Sequence, residues 1–333
     1  MNPLVRWGIL GCGDVTERKS GPAFAKVRDS ALVAVMRRSP GLARDYAQRH
    51  GVPRWYDDAD ALLHDPQVDA VYVATPPGSH AELAIRCARA GKPAYVEKPM
   101  ALAHAQCQLM IEAFHKAGVP LFVAYYRRAL PRFVELKRRL DDGIIGEPRF
   151  VHVWLCKRTS PQPSPGGPAS WRFVPSISGG GRFVDLACHT LDILDYLFGP
   201  IESVSGSACN QGTPLYSVED AVSASLRFAS GVLGTGAWCF TACEPRDDVT
   251  IIGTRGTLAF STFGTDLVTT LQSGEVQREE IANPEHIQQP LIQTVVDELL
   301  GRGLCPSHGE SAARTSAVMD ALLAGSFSSE LIL

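Results

Sequence analysis

No apolar run in this 333-residue chain approaches the ~18 residues of a membrane-spanning helix, so no span is expected. The nine cysteines, at positions 12, 87, 107, 156, 188, 209, 239, 243 and 305, form no C-x-x-C pair, and their number is odd. Reduced thiols in a cytoplasmic protein fit this best. Cys239 and Cys243 lack a third metal ligand nearby in sequence, so no metal is expected. An excess of charge is missing too: the net value is −3, which gives no reason to expect a nucleic acid or a membrane surface as partner. Internal repeats and low-complexity tracts are absent. Met1–Arg6 lead straight into an apolar run without the basic, apolar and small-residue plan of a signal peptide. What remains is an ordinary globular composition, long enough for about two domains with separate cores.

The first 120 or so residues alternate two patterns. Short, continuously apolar runs at Val5–Leu10, Ala31–Met36, Ala70–Thr75, Ala94–Glu97 and Leu121–Tyr125 read as strands buried on both faces. Helical stretches separate them: Ala43–His50 before Gly51, Ala59–His64, Ala81–Ala90 before Gly91, and Ala103–Ala117 before Gly118. A glycine just past the last helical residue is the expected stop. The expectation is a parallel sheet with helices on both sides. A basic helix follows at Pro131–Asp142, with Lys137, Arg138 and Arg139 on a solvated face. Beyond it come β-branched and aromatic segments: Arg149–Cys156, Val204–Cys209, Ala221–Phe228, Gly231–Thr241, Val249–Gly253, Gly256–Thr262 and Leu267–Gln272. These predict an antiparallel sheet with hairpin connections, interrupted or followed by helices at about Arg182–Phe198 and Gln288–Leu300. Ser160–Pro168, rich in proline and glycine, reads as a loop.

The first strand ends in Gly11-Cys12-Gly13. A strand that runs through such a turn into a helix offers backbone N–H groups, here those of Gly13, Asp14 and Val15, to a pyrophosphate. Thr16 occupies the third glycine position of the motif and leaves the close helix–strand contact open. The second strand ends in Arg37-Arg38-Ser39. An acidic residue there suits a free ribose 2′-hydroxyl, whereas two arginines and a serine suit a 2′-phosphate. The opening segment therefore reads as an NADP site, with surface arginines as the alternative.

Two further clusters carry chemistry. Glu97-Lys98-Pro99 sits at the carboxyl end of a predicted strand, the edge where open parallel sheets bind ligands. Lys98 there can donate to a substrate oxygen and stabilise developing alkoxide charge; alternatively it is a surface lysine paired with Glu97. In the second half, Gly179-Gly180-Gly181 precedes Asp185, His189 and Asp192, which share one face of a regular helix. His189 can exchange a substrate proton near neutral pH, with Asp185 orienting it or binding a neighbouring hydroxyl; an Asp–His surface pair is the alternative. Thr75-Pro76-Pro77 with His80 forms a rigid crossover able to close over the cofactor. Trp171-Arg172 can clamp a nucleotide or simply pack.

These motifs together resemble the glucose–fructose oxidoreductase and inositol dehydrogenase (Gfo/Idh/MocA) family over nearly the whole chain. The resemblance rests on Gly11-Cys12-Gly13, Thr75-Pro76-Pro77 with His80, Glu97-Lys98-Pro99, Tyr126-Arg127-Arg128, the turn Gly143–Pro148, and Gly179-Gly180-Gly181 with Asp185, His189 and Asp192. It implies an α/β protein: a Rossmann domain over 1–123, and an α/β domain with an open, mostly antiparallel sheet over 124–305. The last segment, 306–333, would return to the first domain. It implies Lys98 as catalytic lysine, Asp185 and His189 as active-site acid and histidine, and Glu97, Arg128, Trp171 and Arg172 near the cofactor. A homodimer or homotetramer through the second sheet is expected. Tyr126 stands where many members have Asn or His. The resulting expectation is an NADP-dependent oxidoreductase acting on a sugar, polyol or related cyclic alcohol or ketone, with the substrate carbon in a cleft between domains. An NAD-linked polyol dehydrogenase and a non-catalytic cofactor-binding regulator are the other readings. Ser160–Ser170 and Cys243–Asp248 are the loops expected to recognise substrate hydroxyls.

Overall fold

In the computed structural model, residues 4–158, 170–211 and 216–324 are described, which leaves the loop expected at Ser160–Pro168 outside them. The chain divides into two compact units. One runs to Leu130 and adds Pro284–Ala313; the other takes Pro131–Asn283 and continues from Arg314. This differs from the expected boundaries at 123 and 306. The returning segment begins earlier because the helix Gln289–Leu299 and the stretch Cys305–His308 pack with the first unit. Ser307 accepts the Val123 N–H at 3.2 Å and donates its hydroxyl to Val123 O at 2.7 Å, which covers the edge of the last strand. The return also ends early. Arg314, within the helix Gly309–Leu323, forms a bidentate pair with Asp195 of the second unit at 2.8 and 2.7 Å.

The first unit holds six parallel strands: β1 (Val5–Leu10), β2 (Ser30–Met36), β3 (Arg54–Tyr56), β4 (Ala70–Val73), β5 (Ala94–Val96) and β6 (Leu121–Val123). Their order, 3-2-1-4-5-6, is that of a doubly wound dinucleotide-binding sheet. Only β3 was not foreseen; three half-buried residues carry too short a pattern. Register positions the site. Leu10 pairs with Met36 and Val73, Val73 with Val96, and Val96 with Val123, so the strands end level. Everything after those residues, from Gly11 and Arg37 to Thr75 and Lys98, leaves along one edge.

The second unit is built on eight strands: β7 (Pro148–Arg158), β8 (Ile201–Cys209), β9 (Ala221–Phe228), β10 (Leu233–Ala242), β11 (Arg246–Gly253), β12 (Gly256–Phe260), β13 (Asp266–Leu271) and β14 (Val276–Glu280). The order is 14-13-12-11-7-10-9-8. All pairings are antiparallel except β7–β10. The exception follows from topology. The chain leaves β7, starts again at the far edge with β8, and walks back through two hairpins, so β10 arrives beside β7 in the same sense. Side chains alternate between a buried face (Val151, Val153, Leu155) and an open one (His152, Trp154). The basic helix Pro131–Asp141 is not wholly solvated. Arg139 is buried, held by Glu135 at 2.7 Å, by Thr269 Oγ1 at 2.8 Å and by Glu279. Among the described residues no helix is long and apolar enough to cross a membrane.

Candidate active site

In the first unit, Gly11 has φ +90°, and a Cβ there would lie 2.5 Å from Thr75 Cγ2. This position requires glycine because the loop passes against the end of β4. Gly13 differs: a Cβ would meet only Gly11 O at 3.9 Å, so its bare backbone faces open space. Thr16, at the third motif position, is fully buried. Its Oγ1 accepts the Gly13 N–H at 3.0 Å and donates to Gly13 O at 2.8 Å, closing the turn. The close packing expected of a third glycine falls to Gly21, where a Cβ would strike Thr16 O and the Tyr46 hydroxyl. Asp14 is exposed and Val15 half-buried beside this turn.

Gly11 N–H and Cys12 N–H donate to Met36 O at 2.9 and 3.2 Å, fastening the loop to the tip of β2. Arg37, Arg38 and Ser39 follow there, all exposed, with no carboxylate among them. Burial pushes the Cys12 thiol up to about 11, while the Arg37 guanidinium pulls it the other way.

At the next strand ends, Thr75 is half-buried, Pro76 exposed and Pro77 buried. His80 is 0 % exposed, so its ring does not face a ligand as expected. Instead Nε2 lies 2.7 Å from Thr75 O and Nδ1 lies 3.0 Å from Pro99 O, tying the end of β4 to the segment after β5. Burial lowers its pKa against the opposing pull of these carbonyls. The Lys98–Pro99 peptide is cis. Glu97 is also buried, and its carboxylate is engaged within the protein: Gln288 Nε2 donates to Oε1 at 2.6 Å, the Tyr72 hydroxyl contacts Oε1, and Lys98 N–H donates to Oε2 at 3.1 Å. Lys98 is half-buried at the carboxyl edge of the sheet. Arg128 is buried, with Nη1 3.1 Å from Pro306 O. The ring of buried Tyr126 carries the Arg127 guanidinium at 5.0 Å.

In the second unit the expected regular helix starts differently. Phe183–Ala187 form a π-helical turn before the α-helix Cys188–Phe198. Asp185 lies in that wider turn, and His189 and Asp192 lie in the α-helix after it. The Asp185 side chain is 36 % exposed, whereas His189 and Asp192 are 3 % and 0 % exposed. Asp185 Oδ2 stands 3.7 Å from Arg172 Nε, and that guanidinium lies 4.6 Å over the Trp171 ring. The structure thus brings Trp171, Arg172 and Asp185 together. The glycine turn fits tightly: a Cβ on Gly181 would approach Glu219 O at 2.8 Å, and its N–H donates to Glu219 Oε1 at 3.0 Å. Burial raises the pKa of Glu219.

Sequence reasoning missed the surroundings of His189. Phe263 meets its ring edge-to-face at 5.9 Å. Asp247 holds the Phe263 loop by accepting the N–H groups of Thr262 and Phe263, both at 2.8 Å. Gln288 and Glu219 were missed as well. A polar residue whose partner is fixed by folding gives no local pattern. The one available signal for Gln288 was its place at the start of an amphipathic helix.

Comparison with known proteins agrees with this architecture. The profile described as an oxidoreductase family with an NAD-binding Rossmann fold matches residues 5–125, and the GFO/IDH/MocA C-terminal domain matches residues 133–259. Oxidoreductase P35 of Formosa agariphila is 39% identical over 96% of this chain and 98% of its own length. The scyllo-inositol 2-dehydrogenase (NAD(+)) of Bacillus subtilis is 31% identical over 82% of this chain and 78% of its own. The crystal structure of aldose-aldose oxidoreductase from Caulobacter crescentus, complexed with glycerol, superposes with a TM-score of 0.85 at 26% identity, covering 97% of each chain. The chain belongs to the Gfo/Idh/MocA family of oxidoreductases, with the NAD-binding Rossmann fold of that family.

Proposed function

We propose that the protein is an NADP-dependent oxidoreductase exchanging a hydride with a carbon of a sugar, a polyol or a related cyclic alcohol or ketone. The observation that carries this reading is Lys98: it leaves the same sheet edge as the glycine loop, beside a Glu97 carboxylate immobilised by its donors. The residues present fit a dinucleotide. Gly13 opens its backbone to the space a pyrophosphate takes, and Asp14 and Val15 follow it. A bound nicotinamide dinucleotide supplies the hydride exchange. Arg37, Arg38 and Ser39 would take a 2′-phosphate, and Thr75, Pro76 and Pro77 would cover the nicotinamide end; His80, Glu97 and Arg128 support that edge from within. Trp171 and Arg172 would contact the cofactor. Lys98 donates to the substrate oxygen and stabilises it as an alkoxide. His189 accepts or returns the hydroxyl proton, and Asp185 positions it or binds a neighbouring hydroxyl.

The names of an inositol dehydrogenase and an aldose oxidoreductase among similar proteins support a carbohydrate-like substrate. The NAD(+) in the former favours a second reading, an NAD-linked polyol dehydrogenase on the same scaffold. Fluorescence titration separates the two. The NADP reading expects NADPH to bind at least about 10-fold tighter than NADH, with Arg37→Asp removing the preference, as loss of a charge-assisted phosphate contact requires. Tighter binding of NADH overturns it. For the chemistry, Lys98→Ala should lower turnover on a reacting sugar or polyol about 100-fold or more while NADPH affinity changes little. Near-normal turnover overturns the role of Lys98.

A homodimer or homotetramer formed through the open face of the second sheet also belongs to this reading. Leu233 and Ile252 flank Phe150 in register on that face, and Trp154 stands 40 % exposed four residues along. Light scattering that finds only monomer overturns it. All nine cysteines are free thiols, which supports a cytoplasmic setting.

A further inference from the structure

Strand β7 sends Val151, Val153 and Leu155 to the buried face of its sheet, and Lys157 comes next in that alternation. Its ammonium therefore emerges where the covered face ends. Lys157 Nζ lies 5.2 Å from the centroid of the Phe263 ring, the same ring that His189 meets edge-to-face. Phe263 is fixed from behind by Asp247, and a contact of 2.9 Å between the buried hydroxyls of Thr190 and Thr262 ties its loop to the helix of His189. A second cation reaches the same strand end: Arg182 Nη1 stands 3.5 Å from Arg158 O, with its guanidinium over Phe173 at 5.9 Å. Arg158 adds an exposed third.

Four carboxylates of this unit, Asp247, Asp185, Asp220 and Glu219, are engaged. Asp247 accepts two backbone N–H groups, Asp185 faces Arg172, and Asp220 accepts the Gln211 N–H and the Tyr216 hydroxyl. Glu219 accepts the Gly181 N–H, and burial drives it toward its neutral form. Among the described residues, no carboxylate lies within ion-pair distance of Lys157, Arg158 or Arg182. Lys157, Arg158 and Arg182 thus carry positive charge at this strand end with no carboxylate partner among the described residues.

We propose that the substrate is a polyhydroxy acid, of the uronate or aldonate kind, whose carboxylate is bound by Lys157 beside the His189 ring. The inference rests on the reading of His189 as part of the reacting site. The ammonium keeps donors for a carboxylate while it stands over the Phe263 ring. The aromatic face next to it suits the C–H surface of a sugar ring. A charge-assisted hydrogen bond of this kind separates an acid from its neutral counterpart by about 10- to 100-fold in affinity.

The test uses the full-length protein loaded with NADPH and follows the fluorescence of the bound cofactor. The probes are D-glucuronate, D-galacturonate and D-gluconate, each against its neutral counterpart D-glucose, D-galactose or D-sorbitol. At least one acid should bind about 10-fold or more tightly than its counterpart, and the advantage should shrink as salt is raised. Lys157→Gln should abolish that advantage while leaving the NADPH dissociation constant within about 2-fold, which also reports a folded protein; Lys157→Arg should keep most of it. Several results overturn the proposal: neutral sugars binding as well as the acids, an acid preference that survives Lys157→Gln, or weakened NADPH binding in Lys157→Gln, which assigns the cation to the cofactor phosphates. Binding of neutral sugars alone overturns this inference and leaves the sugar-oxidoreductase reading intact. Binding of neither class overturns both.

Discussion

Gln288 donates its side-chain amide to the Glu97 carboxylate at 2.6 Å, across 191 positions of sequence. The Tyr95 hydroxyl donates to Gln288 Oε1 at 2.8 Å, which fixes which end of the amide faces the carboxylate. Both side chains are buried, so the returning segment of the chain holds the residue that precedes Lys98. Removing the amide leaves a buried carboxylate and a buried hydroxyl each short of a partner. Gln288→Met should therefore cost about 1–3 kcal/mol of stability, and Tyr95→Phe less, read by denaturant unfolding. If the network acts through Lys98, Gln288→Met lowers turnover in the wild-type background and adds nothing in Lys98→Ala. Equal losses in both backgrounds would show a role unconnected with the lysine.

Two glycines of one loop should fail in different ways. At Gly11, alanine meets a positive φ and a contact of 2.5 Å with Thr75 Cγ2. At Gly13, alanine meets extended backbone and open space. Gly11→Ala should thus lower the melting temperature by several degrees, about 1–3 kcal/mol of strain and crowding. Gly13→Ala should melt like wild type, within about 1 °C, yet bind NADPH at least about 10-fold more weakly, because its methyl group takes the space of the pyrophosphate. Undiminished cofactor binding by Gly13→Ala would remove the dinucleotide from this loop.

The parts of the fold legible in the sequence are those set by local pattern. Continuous apolar runs gave β1, β2, β4, β5 and β6 nearly to the residue, and Gly51 and Gly118 stop their helices in the left-handed conformation. Strand β14 escaped notice because Val276–Glu280 is an edge strand of mostly exposed polar residues, without the alternation a buried face imposes. The helix Gly309–Leu323 escaped too: its small and polar residues make a weak stripe. At the candidate site, Lys98, Asp185 and His189 stood out by motif. The spacing of the last two was read on a regular helix, whereas Asp185 lies in the π turn Phe183–Ala187. Glu219, Asp247, Phe263 and Gln288 became visible only once distant strands had met, since each is defined by a partner rather than by its neighbours in sequence.

Glu219 provides a test of the electrostatics around the glycine turn. Its pKa is raised above the ordinary 4.5, first by burial and further by the nearby Asp220 charge, while the Gly181 N–H pulls the other way. Between 4.5 and its folded value, the native state binds more protons than the unfolded chain. Stability then falls as pH rises through that window, and the loss is complete above the folded value. Glu219→Gln keeps an acceptor for the Gly181 N–H but cannot ionise. The variant should therefore gain on wild type as pH is raised from about 4 to 7, by about 1–3 °C in melting temperature, with the two curves converging in acid. The sign decides the matter. A variant that loses ground as pH rises would mean that the ionised carboxylate is the favoured form in the fold. The turn before Asp185 would then be anchored by a charge rather than by a protonated acid.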